Sequence, residues 1–188
     1  MSSTGRDPRV MLLMAQAMDA AARGSYSETI RLLTQVLQSY PNFGEAYHNR
    51  AMAYSRLGRP REALADFSHA IALDPHPSAY EQRGLLYYEL GDRPSARRDW
   101  EQALRLEPRR TLALINLGWL AFEDGRYQEC IDLSTRAIGV EPSAASAYFN
   151  RARAYHAQGN MANAFADLQK GRYLVENGLD TSNSDVGE

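Results

Sequence analysis

YHNRAMAYSRLGRPREALADFSHAIALDP, residues 47–75, decides the architecture of this chain, because its landmarks return at fixed intervals. Gly58 separates two amphipathic, helix-favouring stretches and Pro75 closes the second. Aligning the remaining sequence on its glycines and prolines superimposes four more windows of 29 residues without a gap, at 13–41, 80–108, 114–142 and 148–176. Within them the hexapeptide NRAMAY (49–54) comes back almost unchanged as NRARAY (150–155). A constant period of 33 to 34 residues is the signature of one supersecondary unit copied along a chain.

Each column of the alignment has a mechanical reason. Gly24, Gly58, Gly91, Gly125 and Gly159 fall mid-window, where a first helix must stop at a residue tolerant of positive φ. Ser25, Asp92 and Asn160 follow as N-cap candidates, and Pro60 sits where a first-turn proline is tolerated. Pro41, Pro75, Pro108 and Pro142 end the second helix. Small residues at Ala17, Ala51, Gly84, Gly118 and Ala152, and again at Thr29, Ala63, Ala96, Cys130 and Ala164, let the two helices approach closely. Large side chains fill the space between: Tyr54, Tyr87 and Tyr155 from the first helix, and Leu33, Phe67, Trp100 and Leu168 from the second. Cys130, in a slot held mostly by Ala, reads as a small buried hydrophobe rather than a nucleophile.

Composition agrees with a folded domain: 44% hydrophobic and 23% charged residues over 188 positions. A net charge of −2 gives no overall field to attract nucleic acid. One cysteine forms no intrachain disulfide and no Cys-rich zinc site. No segment approaches the ~20 apolar residues of a membrane span. RVMLLMAQA (9–17) reads as helix, its apolar run being too short for a signal peptide. A cytoplasmic location is expected.

The sequence of aromatic or Leu, then Leu-Gly or its substitutes, then Tyr, Ala, Phe and Pro resembles the tetratricopeptide repeat (TPR) family. The resemblance implies an all-α fold, a right-handed α-solenoid of about five helix-turn-helix repeats. It divides the chain into a flexible segment 1–9, a TPR domain 10–176 (repeats about 10–43, 44–76, 77–110, 111–144 and 145–176) and a polar tail 177–188 that frays. The first repeat is degenerate, and the last ends in Glu176 instead of Pro. Without a clear capping helix, Phe165, Leu168 and Leu174 are candidates for partial exposure and self-association.

One pair of columns varies together. Arg50, Arg83 and Arg151 are followed sixteen residues later by Asp66, Asp99 and Asp167, whereas the fourth repeat carries Leu117 and Leu133. Charges that arrive and leave as pairs point to structural ion pairs across the helical hairpin.

No catalytic constellation emerges: the four histidines lie in no metal-protease motif, and His48 and His156 are three repeats apart. No cofactor and no metal are expected. In the TPR family the first helices line a concave groove, and the resemblance transfers its ligand-facing positions to His48, Met52, Leu85, Tyr88, Ile115, Trp119, Phe122, Phe149 and Arg153. Beside them Asn49, Gln82, Asn116 and Asn150 resemble the asparagine ladder of peptide-binding members, since a carboxamide matches both halves of a peptide group. For the apolar positions of the first and fourth repeats the alternative is packing against neighbours or an N-terminal segment, and for the amides it is a structural cap or solvent contact. The two-carboxylate clamp of chaperone-binding TPR domains is disfavoured, because Met14 and Met18, or His48 and Met52, stand at its Lys and Asn positions. The expected function is a non-enzymatic interaction module or adaptor that binds a peptide or helix of a partner protein. The alternatives are a structural assembly protein forming a homo-oligomer through its ends or groove, and a secretion or pilus-biogenesis chaperone.

Overall fold

The computed structural model describes residues 7–182, and among them every regular element is an α-helix. In chain order these are α1 (Pro8–Ala22), α2 (Tyr26–Ser39), α3 (Gly44–Arg56), α4 (Pro60–Leu73), α5 (Pro77–Glu89), α6 (Arg93–Leu106), α7 (Thr111–Glu123), α8 (Tyr127–Val140), α9 (Ala145–Ala157) and α10 (Met161–Glu176). The chain divides into two compact units, Met1–Asp92 with α1 to α5 and Arg93–Glu188 with α6 to α10.

The mid-window glycines carry the turns. Gly58 has φ +67°, and Arg59 N donates to the Tyr54 carbonyl at 2.9 Å, satisfying a carbonyl that the helix end would orphan. The same bond recurs from Ser25 to Ala20 and from Asn160 to Tyr155, at 2.8 and 2.9 Å. Asn160 then caps α10, accepting from Asn163 N at 3.3 Å. Ser25 differs from its expected capping role: its side chain makes no capping bond, and its carbonyl accepts from Thr29 N and the Thr29 hydroxyl instead.

In the first unit α1 and α2 close around Ala17, Ala20, Leu33 and Val36. There Thr29 takes a small slot and satisfies its hydroxyl on the Ala17 carbonyl. Phe67 lies wholly buried between Ala51 and Ala63, with α5 covering it through Ala79 and Leu86. That burial contributes roughly 1.5–3 kcal/mol. In the second unit Trp100 and Ala103 of α6 are buried. A Cβ on Gly118 would stand 3.3 Å from Ser134 Oγ, so glycine there sets the closeness of α7 to α8. Leu174 packs with Ala145 and Tyr148, contrary to its expected exposure. Leu168 departs from its expected place between helices: it is exposed, and among the described residues no helix covers that face of α10.

Asp7 and residues 179–182, at the two limits of the described residues, carry more structure than the composition there suggests. Asp7 caps α1 by accepting from Arg9 N at 2.8 Å, and the hydroxyl of Tyr40, just past the end of α2, donates to its other oxygen. Residues 1–6 and 183–188, read as flexible or fraying, lie outside the described residues. Residues 179–182 do not fray: Asp180 Oδ1 accepts from Ala145 N at 2.9 Å, and the Ser143 and Thr181 hydroxyls meet at 2.8 Å. The reason is local. Ala144, at the N-cap of α9, has no side chain able to cap, so Asp180 does so from the other end of the hairpin.

The Arg columns form forks. Arg50 Nε and Nη2 donate to the two Asp66 oxygens at 2.7 and 2.9 Å, joining α3 to α4. Its Nη1 donates to Thr34 Oγ1 of α2 at 3.0 Å, so one guanidinium also ties the hairpin to the preceding one. Tyr47 and Tyr54, one turn to either side, lie under its plane at 5.6 and 5.8 Å. Arg151 repeats the arrangement with Asp167, Thr135 and Tyr148. Arg83, in the first unit, donates to Ser68 Oγ at 3.0 Å and lies over Tyr80 and Tyr87; Asp99 is buried in the second.

Arg50 and Asp66 side chains are only 16% and 7% exposed, so Arg50→Leu strands a carboxylate away from water. It is expected to cost roughly 2–4 kcal/mol by urea unfolding, whereas Arg50→Leu with Asp66→Leu recovers most of that loss. Strict additivity of the two single losses would contradict the pairing.

Candidate functional site

On the first unit the expected ligand positions serve two purposes. His48 meets Phe67 edge-on at 5.5 Å and Met52 packs against the same cluster, so both are partly core. Asn49, Gln82 and Tyr88 are half-buried and Leu85 is exposed. Between His48, Ala70, Asp74 and His76 lies a polar-rimmed hollow of about 320 Å³. Burial pushes the His48 pKa below the usual imidazole value, and the nearby His76 adds to the shift.

The second unit concentrates aromatic side chains. Trp119 and Phe122 stack at 5.6 Å on α7, Tyr127 of α8 joins at 5.8 Å, and the Arg153 guanidinium of α9 lies over Trp119 at 5.1 Å. Beside them opens an apolar groove of about 540 Å³, walled by Phe122, Phe149, Arg153, His156, Phe165 and Leu168. Phe149 reaches it across the hairpin by lying against Gly171, where an added Cβ would come within 2.6 Å of the ring. The groove therefore has one wall of Phe122 and α9 residues and a second wall on α10. Met161, Phe165 and Leu168 of that second wall had no place among the expected site residues.

Two expected ligand contacts are corrected by burial. Asn150 is 4% exposed, and its Nδ2 donates to the Ile115 carbonyl of α7 at 3.1 Å. Its own carbonyl accepts from Cys130 Sγ at 3.4 Å. The amide thus fastens α9 to α7 and does not face a ligand. Ile115 is itself buried beneath it. Asn116 is half-buried. Cys130 is fully buried, and desolvation pushes its thiol up to about 11, which leaves it protonated and unreactive at neutral pH.

Models described as Tetratricopeptide repeat match residues 44–77, 81–133 and 131–173. The chain belongs to the tetratricopeptide repeat family. Among curated proteins it is 26% identical over 175 residues to the "Tetratricopeptide repeat and J domain-containing co-chaperone DNJ1" of Cryptococcus neoformans var. grubii serotype A. That match takes in 87% of this chain but 34% of the relative, so the chain spans about a third of that protein's length. Among solved structures, MamA from Desulfovibrio magneticus RS-1 superimposes with a TM-score of 0.79 at 19% identity, covering 91% of this chain and 97% of that one. YrrB, described as "a TPR protein with an unusual peptide-binding site", gives 0.71 at 18% identity, covering 86% and 84%. These likenesses establish the TPR solenoid fold.

One TPR column escaped the sequence reading. The hydroxyls that receive the third arm of each Arg, Thr34, Ser68 and Thr135, share one register position on the second helices. That position is Glu101 before Leu117, where no Arg follows. The signal was present, but it links neighbouring repeats and shows only when each column is compared with the next repeat. Among the described residues no cluster of three or more His, Cys, Asp or Glu is arranged to hold a metal ion, and no helix is long and apolar enough to cross a membrane.

The depressed pKa of His48 links stability to pH. In the unfolded chain His48 takes up a proton near pH 6.5, while the folded imidazole stays neutral to lower pH. Its contribution is therefore complete above about pH 6.5 and is lost as pH falls from there towards the folded pKa. Urea midpoints measured between about pH 7 and 5 are expected to drop for the wild type and to drop less for His48→Gln.

Proposed function

We propose that this TPR chain is a non-enzymatic interaction module of the cytoplasm, which holds an apolar peptide or helix of a partner protein in the groove of its second unit. The observation that carries the reading is the apolar groove itself, about 540 Å³ with Phe122, Phe149, Phe165 and Leu168 turned towards it. A volume of that order accommodates two or three large side chains, and exposed aromatic walls with few polar groups favour a protein ligand over a small polar one. The guanidinium of Arg153 at its rim suits a carboxylate on the ligand. Support also comes from YrrB, a TPR protein of the same fold described as peptide-binding, and from the co-chaperone that shares about a third of its length with this chain.

Phage-displayed random 12-residue peptides selected on the full chain supply the test, with Trp119 emission as the readout, since the other tryptophan, Trp100, is buried. Selected peptides are expected to bind at least tenfold more weakly to Phe122→Ala, and to Gly171→Ala, which displaces the Phe149 ring without removing a ligand contact. Failure to select any binder, or binding indifferent to both substitutions, would overturn the proposal.

A further inference from the structure

Every second helix before α10 is covered by the first helix of the next hairpin, and one register position measures that cover. Leu33 of α2, Phe67 of α4, Trp100 of α6 and Ser134 of α8 are 0%, 0%, 1% and 0% exposed, whereas Leu168 of α10, at the same position, is 45% exposed. Phe165 stands where α8 has the buried Ile131, and is likewise open. The notch between α9 and α10 therefore stands in the register of the notch between α7 and α8, into which α9 packs.

How α9 fills its notch specifies what fits the open one. The small Ala147 and Ala154, seven residues apart, are fully buried. Asn150 donates to the Ile115 carbonyl, and Arg153 lies over Trp119. Advanced by one repeat, the carbonyl in place of Ile115 belongs to Phe149, and the side chain in place of Trp119 is Arg153 itself. An incoming helix would thus meet a guanidinium where α9 met an indole, and a carboxylate is its complement.

We infer that the α9/α10 notch is a docking site for one amphipathic helix of a partner protein, bearing the seam Ala-x-x-Asn-x-x-Glu/Asp-Ala. The inference rests on the groove reading above and narrows it from any apolar segment to a helix in a defined register. The small residues allow close approach to Leu168 and Phe165, the amide takes the Phe149 carbonyl, and the acid pairs with Arg153. A second copy of the chain is a poor occupant. Among the described residues it is α1 that has the corresponding face exposed, and its seam reads Leu12, Ala15, Met18, Asp19, which puts a bulky residue at the first small position and a charge at the last.

A labelled synthetic peptide of the α9 sequence (144–159) carrying Arg153→Glu, stapled on its solvent face because so short a helix is marginal alone, is the probe. Fluorescence anisotropy against the full chain is expected to give a dissociation constant of about tens of micromolar, weakened about tenfold by Leu168→Glu in the protein. The same peptide with Asn150→Leu, or retaining arginine at position 153, is expected to bind several-fold more weakly. Leu168 is exposed, so its substitution leaves the fold intact, which circular dichroism verifies. No binding by the stapled peptide, binding indifferent to Leu168→Glu, or a dimer of the free chain by light scattering that Leu168→Glu dissolves would each overturn the inference. If randomly selected peptides bind through Phe122 while the stapled helix does not, the groove reading stands and this inference falls.

Discussion

Helices of 13 to 16 residues hold their shape in water only when neighbours cover one face. Each helix here is that short, so the structure depends on a succession of close helix-to-helix contacts and not on any one large core. The small columns make those contacts possible. Gly118 against Ser134, and Ala51 and Ala63 around Phe67, bring backbones near enough for a single large side chain to seal each hairpin. Among the described residues α10 lacks such a cover, and its Phe165 and Leu168 stand exposed.

The guanidinium forks add direction to contacts that apolar packing alone leaves non-specific. Arg50 and Arg151 each hold an aspartate on the partner helix and a hydroxyl on the preceding repeat, with tyrosine rings against the guanidinium face. A lysine could not do this, because an ammonium offers neither the planar fork nor a face to stack. Arginine in place of lysine thus has a structural use in these columns. In the fourth repeat, leucines at 117 and 133 replace the fork with apolar packing, and Leu133 is buried accordingly.

Much of the candidate site was legible as position and little of it as orientation. The spacing of Trp119, Phe122 and Phe149 placed them on the first helices, and they lie on α7 and α9. Asn150 belongs to the same column as Asn49 and Asn116, yet it alone of the three is buried, with its amide on a carbonyl of α7. Column membership does not say which way a side chain rotates or how closely the preceding helix approaches. The α10 wall was missed for a related reason: Leu168 carries the same kind of side chain as Leu33, and what separates them is that α3 covers Leu33 while no described helix covers Leu168.

The sequence by itself determined the helix-turn-helix period, the glycine turns, the small and large columns and the coupling of Arg to Asp, because backbone sterics and side-chain volume act locally and repeat with the chain. The tertiary structure alone decided which amides are spent on neighbouring helices, that Asp180 returns to cap α9 from 35 residues away, and that α10 presents its apolar face to solvent. Each of these depends on what stands next to a residue in space, and a repeated sequence gives equivalent residues to repeats whose neighbours are not equivalent.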